Sequence, residues 1–299
     1  MVAIQALSNY YEYIYMLYEY NLRRQQMSTL YICGTPIGNL EDISLRSLRI
    51  LREADYIAAE DTRHTLKLLN HYDIKTPLTS YHEHNKHKKG KELLQLLKQG
   101  QSIALVSDSG MPCIADPGTS LVRLCLDECI PVVTVPGPSA LTSALTLSGM
   151  DANRFVFEGF LPRQNKKRRE VISELRFETR TIVIYEAPHH LKQTLTDLAA
   201  SLGNRSAALI RELTKVYEQI ERAGLEDLAA AFEKKDPKGE YVIVIDASDS
   251  YLPDLGEITV KEHVELYLDK GLSEMDAMKR TARDRRIGKR EVYDILKKD

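Results

Sequence analysis

The sequence predicts an α/β fold in two domains, with mostly parallel or mixed sheets, followed by a small helical C-terminal module. Short apolar runs alternate with segments of helical periodicity from Leu30 onward, which is typical of a parallel sheet covered by helices. The alternation stops at a polar stretch over residues 146–153 and then resumes. After Ala247 only helical patterns remain.

These breaks divide the chain into an N-terminal extension over 1–27, α/β domains over 28–149 and 150–248, and a helical module over 256–299. The extension is rich in tyrosine and has no basic region ahead of an apolar core, which argues against a secretory signal. We interpret it as an appended helix or a start-site artefact. A membrane-surface or partner-binding helix is the alternative.

In the first domain, four-residue apolar runs predict buried strands, and a helical spacing of apolar residues predicts the helices between them. The predicted strands are 30–33, 56–59, 103–106 and 132–135, and the predicted helices are 45–54, 66–72, 90–100, 120–129 and 141–149.

In the second domain and the module, the same patterns predict further elements. The strands are 155–157, 181–185, 207–210 and 241–245, and the helices are 170–175, 191–202, 225–233, 261–269, 274–285 and 289–297. The last three helices end in a basic stretch, with nine Lys or Arg against three acids over 279–298. They resemble a helix-turn-helix module suited to phosphate contact, although a solvated helical face would have the same composition.

Composition excludes other classes of protein. The chain has 299 residues and a formal net charge of −2, which gives no global attraction to nucleic acid. Its four cysteines lack CxxC spacing, so we expect no disulfide or zinc framework and a reducing cytoplasm. No apolar run approaches the roughly 20 residues that cross a bilayer, so we expect no membrane span.

Glycine-bearing loops follow three of the predicted strands, over 34–40, 107–118 and 136–140. Ligands of open α/β sheets bind at the carboxyl ends of strands, and clefts between domains are the usual place for a small ligand. The loops match neither GxGxxG nor GxxxxGK[ST], which disfavours a Rossmann dinucleotide site or a P-loop. Each loop alone would also fit an ordinary strand-to-helix turn.

The segments GTPIGNL, AEDTRHT, SYHEHN, SDSGMPCIADPG, VPGPSAL, FEGFLPR and YEAPHH occur in this order. In order and spacing they resemble the ribosomal RNA small subunit methyltransferase I family, within the tetrapyrrole methylase superfamily. The resemblance implies a two-domain tetrapyrrole-methylase-like fold and the cofactor S-adenosylmethionine. It also implies methylation of the ribose 2'-hydroxyl of a cytidine, number 1402 of the RNA, in 16S ribosomal RNA.

The resemblance carries methyl-donor contacts onto nine residues of this chain, held largely through main-chain groups. They are Pro36, Asp108, Gly110, Ile114, Ala115, Ser139 and Ala140 in the first domain, and Glu186 and Ala187 in the second. Apart from the resemblance, each alanine or isoleucine among them would be interpreted as plain packing.

A ribose hydroxyl is a weak nucleophile, so a carboxylate that accepts its proton would help methyl transfer. We predict Asp61 as the base or hydroxyl-orienting group, with Arg63 binding phosphate or fixing that carboxylate, and Glu60 as the second candidate base. An Asp-Arg pair that caps the next helix is the structural alternative.

We expect RNA contacts from an RNA-facing loop, from the basic patch after FEGFLPR and from the tail. The predicted residues are Tyr81, His82, Asn85, Arg163, Lys166, Lys167, Arg168, Arg283 and Arg286. His82, His84 and His87 also suggest a metal, but no fourth ligand stands out, so no metal is predicted. The resemblance further implies a homodimer acting on 16S rRNA or the small ribosomal subunit.

Two rival functions remain open on the sequence. A tetrapyrrole methylase, of the precorrin or uroporphyrinogen type, would share the fold and the donor but predicts no basic tail. A non-catalytic RNA-binding factor on the same fold would leave Asp61 and the donor loops dispensable.

Overall fold

A computed structural model describes residues 28–176, 178–247, 258–269, 272–285 and 287–297. The N-terminal extension and Arg286 lie outside these residues. The chain forms two compact units. One runs to Ser143 and includes Glu212–Glu218, and the other comprises Ala144–Arg211 and the chain from Gln219 onward.

The first unit is built on a five-stranded parallel sheet in the order β3-β2-β4-β1-β5. Its strands are β1 (Leu30–Cys33), β2 (Tyr56–Ala59), β3 (Leu78–Ser80), β4 (Ile103–Val106) and β5 (Val132–Val135). Its helices are α1 (Leu45–Glu53), α2 (Thr62–His71), α3 (Lys86–Lys98), α4 (Thr119–Asp127) and the start of α5 (Ala140–Ser148).

The apolar runs of this sheet are buried because helices pack on both faces. All four residues of β4 are buried at the centre of the sheet. A run that is buried on both faces has no polar alternation, so the strand is recognised by its apolar length alone. The four strands predicted for this domain are confirmed, whereas β3 is an addition, because it is short and polar.

The second unit contains a mixed five-stranded sheet in the order β6-β7-β10-β8-β9. Its strands are β6 (Phe155–Phe160), β7 (Thr181–Glu186), β8 (Ser206–Arg211), β9 (Gln219–Gly224) and β10 (Tyr241–Ile245), and its helices are α6 (Asn165–Leu175), α7 (Pro188–Leu202) and α8 (Leu225–Glu233). Only the β6–β7 pair is parallel. Strand β9 is a polar edge strand for which the sequence predicts no element.

The C-terminal helices α9 (Val260–Asp269), α10 (Glu274–Asp284) and α11 (Lys289–Leu296) share a small core of their own. Val264, Tyr267, Ala277 and Val292 are buried in it. The three helices predicted for the tail are therefore confirmed. Within the part of the chain that the structure describes, no helix combines the length and apolarity that crossing a bilayer requires.

Candidate active site

The carboxyl ends of the parallel strands lie along one edge of the first sheet. Polar or glycine-bearing segments follow four of them: residues 34–39 after β1, 60–61 after β2, 107–118 after β4 and 136–139 after β5. Because the strands are parallel, these segments emerge at the same edge. The predicted grouping of loops in the first unit is a direct result of this topology.

The loops after β1 and β4 are joined by main-chain hydrogen bonds. Thr35 N donates to Gly110 O at 3.0 Å, and Gly110 N donates to Thr35 O at 3.1 Å. The Thr35 hydroxyl lies 3.3 Å from the carbonyl oxygen of Ser107. Gly110 has a φ of 83°, in the left-handed region that glycine adopts readily. The pairing holds the two loops in one fixed arrangement.

The loops after β1 and β5 meet at two glycines. A Cβ placed on Gly34 would come within 2.7 Å of the Gly137 Cα, and one on Gly137 within 2.8 Å of the Gly34 Cα. Real Cβ atoms do not approach backbone so closely, so neither position accepts a side chain without a shift of the main chain. This contact is the physical reason for glycine at both positions.

Three carboxylates gather at this edge. Asp108 Oδ1 accepts a hydrogen bond of 2.8 Å from the main-chain N–H of Asp61. Burial, reinforced by the negative charges of Asp116 and Asp108, raises the pKa of Glu60 to about 7. Burial also raises the pKa of Asp116. Glu60 therefore holds or releases a proton close to neutral pH, as a general base requires.

Asp61 has a different environment from its neighbour Glu60. It is the N-cap of α2, and its Oδ1 accepts from the main-chain N–H of Arg63 at 2.9 Å. The Arg63 guanidinium adds bonds of 3.1 and 2.7 Å to the two carboxylate oxygens. The hydrogen bonds from Arg63 hold the pKa of Asp61 below its usual range. The geometry is that of the capping pair described as the alternative, and it makes Asp61 a weak base.

A cavity of about 230 Å³ opens in the first unit beside these loops. It brings together two of the predicted donor residues, Pro36 and Asp108. Its lining consists of Thr35, Pro36, Leu40, His64, Thr65, Lys67, Leu68, Ser107 and Asp108.

The other predicted donor residues of the first unit lie on the same loops. Ile114 is 50% exposed and Ala115 is exposed, so neither is core packing. The carbonyl oxygen of Ser139 accepts from Ser143 N at 3.1 Å at the start of α5, whose first residue is Ala140. Core packing therefore does not explain Ile114 or Ala115.

In the second unit, Glu186 and Ala187 mark the end of β7 and the start of α7. Glu186 is 5% exposed. Its two carboxylate oxygens accept hydrogen bonds from Ala187 N, at 2.9 Å, and from the Thr194 hydroxyl. Glu186 therefore supports the turn into α7 as well as facing a cavity.

That cavity, of about 470 Å³, lies beside the first turns of α6 and α7. Basic and amide side chains dominate its lining. The lining residues are Leu161, Arg163, Asn165, Arg168, Arg169, Glu186, His190, Gln193 and Asp197.

The predicted RNA contacts around residue 81 need correction. Tyr81 is 1% exposed, packs in the core beneath α3 and α4, and its hydroxyl lies 2.9 Å from the Ser120 hydroxyl. Its ring is therefore not available to stack on a base. Asn85 is used locally, since its Oδ1 accepts from His82 N and its Nδ2 donates to Ser80 O. Burial of the ring at the end of a short strand overrides the exposure expected of a polar loop.

Among the predicted basic contacts, the side chains differ in availability. Arg163, Lys166, Lys167 and Arg283 are exposed. Arg168, in contrast, is 13% exposed and forms bonds of 2.9 Å to Asp197 and 2.7 Å to the Thr194 hydroxyl. Arg168 is thus a structural cation, and the arginines beside it are the available ones.

Sequence reasoning missed some site residues. Asp116 sits within the predicted loop but was not singled out, although its carboxylate acts on Glu60. The segment Glu212–Glu218 belongs to the first unit, and a Cβ on Gly38 would meet the Leu213 carbonyl oxygen at 2.8 Å. The feature of the sequence that marks the segment Glu212–Glu218 is the alternation of charges from Arg211 to Glu218. Across the described ranges, no group of three or more His, Cys, Asp or Glu is arranged to hold a metal.

Known proteins are similar to this chain over most of its length. A family profile for Tetrapyrrole (Corrin/Porphyrin) Methylases matches residues 29–229. The Ribosomal RNA small subunit methyltransferase I of Halalkalibacterium halodurans is 46% identical, covering 91% of this chain and 96% of its own. The protein of the same name from Thermotoga maritima is 50% identical, covering 75% of this chain and 100% of its own.

Solved structures share the fold at lower identity. A diphthine synthase matches with a TM-score of 0.60 and 18% identity, covering 74% of this chain and 90% of that chain. A uroporphyrin-III C-methyl transferase from Thermus thermophilus, complexed with S-adenyl homocysteine, matches with a TM-score of 0.52 and 19% identity, covering 73% of this chain and 97% of that one. The predicted fold class is confirmed.

Proposed function

This chain belongs to the ribosomal RNA small subunit methyltransferase I family, and from that premise we propose that it methylates the ribose 2'-hydroxyl of a cytidine in 16S rRNA. It is an S-adenosylmethionine-dependent methyltransferase. The observation that carries the proposal is the identity of 46% that extends over nearly the whole of both chains. The rRNA position that we propose is cytidine 1402, as the family resemblance implies.

The first unit has the chemistry that a sulfonium donor requires. The donor carries positive charge on its sulfonium and ammonium groups, and the sheet edge supplies the carboxylates of Glu60, Asp108 and Asp116. The cavity beside Pro36 and Asp108 is lined by residues of the loops after β1 and β4 and by the first turns of α2. These observations support donor contacts at the predicted residues of the first unit, and the family resemblance alone assigns two further contacts to Glu186 and Ala187.

When bound, the donor supplies a methyl group on a positively charged sulfur. The task of the protein is to align the ribose oxygen with that group and to exclude water. The hydrogen bond from the Asp61 N–H holds the Asp108 carboxylate in place, and the pairing with Thr35 fixes the main chain around Gly110. Rigid loops of this kind favour a single reacting geometry.

Of the predicted catalytic residues, Glu60 is best suited to accept the proton of the hydroxyl. A carboxylate with a pKa of about 7 is a stronger base than one below its usual range and is still ionised in half of the molecules at neutral pH. Asp61 and Arg63 would then act through structure, by capping α2 and by fixing the adjacent turn.

We further propose that the enzyme works in the cytoplasm as a homodimer, as the family resemblance implies, on rRNA or the small ribosomal subunit. The exposed cations Arg163, Lys166, Lys167 and Arg283 are suited to phosphate contact. The tetrapyrrole alternative rests on solved structures below 25% identity, which share the fold alone. The non-catalytic alternative has no specific observation in its favour.

The test is a map of 2'-O-methyl groups in 16S rRNA from a strain that lacks this gene and from the same strain with the gene restored. We expect one cytidine to lose its methyl group and to regain it only with the restored gene. An unchanged map would contradict the rRNA substrate. Calorimetry with S-adenosylmethionine, expected to show binding below millimolar donor, separates the enzyme from a non-catalytic factor.

A further inference from the structure

The cavity of the second unit is lined by three guanidinium groups and two carboxylates, and the carboxylates are already occupied. Asp197 accepts from Arg168 Nε at 2.9 Å and from Gln193 Nε2 at 2.6 Å. Glu186 accepts from Ala187 N and from the Thr194 hydroxyl. Asp197 is therefore ion-paired with Arg168, whereas Glu186 is bonded only by neutral donors in the described part of the chain, and the lining has three guanidinium groups against two carboxylates.

Arg163 and Arg169 are the cations left over. Arg163 lies in the loop between β6 and α6, Arg169 lies on α6, and both line the cavity. Among the described residues, neither forms an ion pair or a side-chain hydrogen bond. A single exposed arginine is ordinary, but two that converge on one cavity together with Asn165 provide several fixed donors for one anion.

The N-terminus of α6 adds to this field. Helix α6 has 11 residues, its N-cap Gln164 forms no side-chain cap bond, and its first residue, Asn165, lines the cavity. The first-turn N–H groups of a helix carry partial positive charge and favour anions. The cavity thus combines two arginines, an amide and a helix terminus, against one carboxylate, Glu186, that has no cationic partner within the described ranges.

We propose that this cavity binds a phosphodiester of the substrate RNA strand. The proposal rests on the function proposed above and assigns one part of its substrate to Arg163 and Arg169. Arg168 is the positioning residue: its bonds to Asp197 and Thr194 fix the floor, and Thr194 in turn holds Glu186. The diester is singled out because it presents two charged oxygens to a forked donor and continues into the strand on both sides.

The experiment measures binding of a short cytidine-containing RNA oligonucleotide to the full chain by fluorescence anisotropy across salt concentrations. For R163Q/R169Q we expect an increase in Kd of about tenfold or more, because hydrogen bonds to charged groups are lost. We expect the slope of log K against log salt to become shallower by about 0.7 for a lost phosphate contact. Calorimetry should give a Kd for S-adenosylmethionine within twofold of wild type.

Two further variants distinguish binding at the cavity from attraction by the positive charge of the surrounding surface. K234Q/K238Q removes two cations from the second unit outside the cavity lining and should leave the Kd for RNA within twofold. K166Q/K167Q removes two exposed cations of the same helix start that do not line the cavity. Because the phosphate contacts proposed for these lysines lie outside the cavity, the Kd for RNA should rise by clearly less than for R163Q/R169Q. A loss as large as that of R163Q/R169Q would overturn the cavity assignment in favour of a diffuse basic face.

Three other results would overturn the proposal. A loss of S-adenosylmethionine affinity as large as the loss of RNA affinity in R163Q/R169Q would assign the arginines to the donor carboxylate. Displacement of the oligonucleotide by sub-millimolar inorganic phosphate would assign them to a free phosphate. If R163Q/R169Q weakened the binding of an oligonucleotide with uncharged methylphosphonate linkages as much as that of the ordinary oligonucleotide, phosphate contact would be excluded. A melting curve for each variant shows that it is folded.

The binding assay needs no turnover, so its outcome is separate from that of the proposed function. Wild-type RNA binding that depends on the arginines, with no methyl group lost from the 16S map, would contradict the function and leave the anion site standing. Normal RNA affinity of R163Q/R169Q, with a methyl group lost as expected, would contradict the anion site alone.

Discussion

At the end of β2, two neighbouring carboxyl groups have opposite environments. Glu60 is partly buried close to Asp108 and Asp116, and the pKa of its carboxyl is raised to about 7. Asp61 points to the start of α2, where Arg63 holds its pKa low. Alternating side-chain direction along an extended chain sends adjacent residues to different surroundings, and here it separates the proposed base from the helix cap.

For Glu60→Gln we expect kcat to fall by about 100-fold to 10,000-fold, the usual contribution of a general base. The wild-type kcat/KM should fall as pH decreases through about 7, because the base must be ionised, and this limb should be absent from the variant. Initial rates on 16S rRNA across pH test this. A retained limb would assign the titration to another group.

Ionisation of Glu60 has opposite effects on turnover and on stability. As pH rises it favours turnover but lowers the free energy of unfolding. Because the pKa of Glu60 is raised in the folded state, the folded protein binds this proton more tightly than the unfolded chain. Its contribution therefore becomes unfavourable as pH rises from about 4.5 to about 7. Above pH 7, Glu60→Gln should melt at a temperature equal to or higher than wild type. A variant that melts below wild type at pH 8 would contradict an unfavourable contribution of the ionised Glu60 carboxylate to stability.

At the scale of elements, the start of α2 distinguishes capping from catalysis at Asp61. Asn is as good an N-cap as Asp, whereas Ala is not. Asp61→Asn should keep the melting temperature and most of the turnover, and Asp61→Ala should lower the melting temperature. Scanning calorimetry and initial rates test this. Equal and large losses of kcat in both variants would restore Asp61 as the base.

The segment Glu212–Glu218 is a second element whose position matters. Glu212 and Thr214 have φ values of 53° and 63°, which non-glycine residues adopt at a cost. The segment packs on Gly38, where a Cβ would meet Thr214 Oγ1 at 2.7 Å and the Leu213 carbonyl oxygen at 2.8 Å. Strain of this kind persists only where surrounding structure imposes it.

For Gly38→Ala we expect a loss of about 1–3 kcal/mol in the free energy of unfolding, typical of an overpacked contact. The affinity for S-adenosylmethionine should fall as well, because the loop after β1 carries Pro36. Gly90→Ala is the matched control, since a Cβ there would meet its nearest side-chain atom at an ordinary 3.5 Å. Denaturant unfolding and calorimetry give both values, and equal stability of the two variants would contradict the contact.

At the scale of the whole molecule, the C-terminal helices form a separate cluster with their own buried residues. The Thermotoga maritima relative matches 75% of this chain over all of its own length, so a quarter of this chain has no counterpart in it. A relative with this family's name therefore lacks a counterpart of some segments of the present chain.

Removal of residues 256–299 should leave the Kd for S-adenosylmethionine within twofold, because the predicted donor residues all lie earlier in the chain. Binding of 16S rRNA should weaken and become less dependent on salt, since exposed cations such as Arg283, Lys289 and Arg290 are lost. Calorimetry and filter binding test this. RNA affinity and salt dependence equal to wild type would exclude the module from RNA contact.

The sequence by itself determined the class of fold, the positions of the apolar strands along the chain in the first unit, the loops that follow them and the family. Each of these depends on local pattern, because a four-residue apolar run or a glycine-bearing motif has the same meaning wherever its partners lie. The polar strands β3 and β9 escaped prediction for the same reason, since they have no apolar run.

Only the tertiary structure decided which side chains are available. Tyr81 is buried against Ser120, 39 residues away, and Arg168 is neutralised by Asp197, 29 residues away. Burial, reinforced by the negative charges of Asp116 and Asp108, raises the pKa of Glu60, and those two carboxylates follow a different strand. Burial, ion pairing and pKa depend on neighbours that are distant in sequence, and no local pattern along the chain records those neighbours.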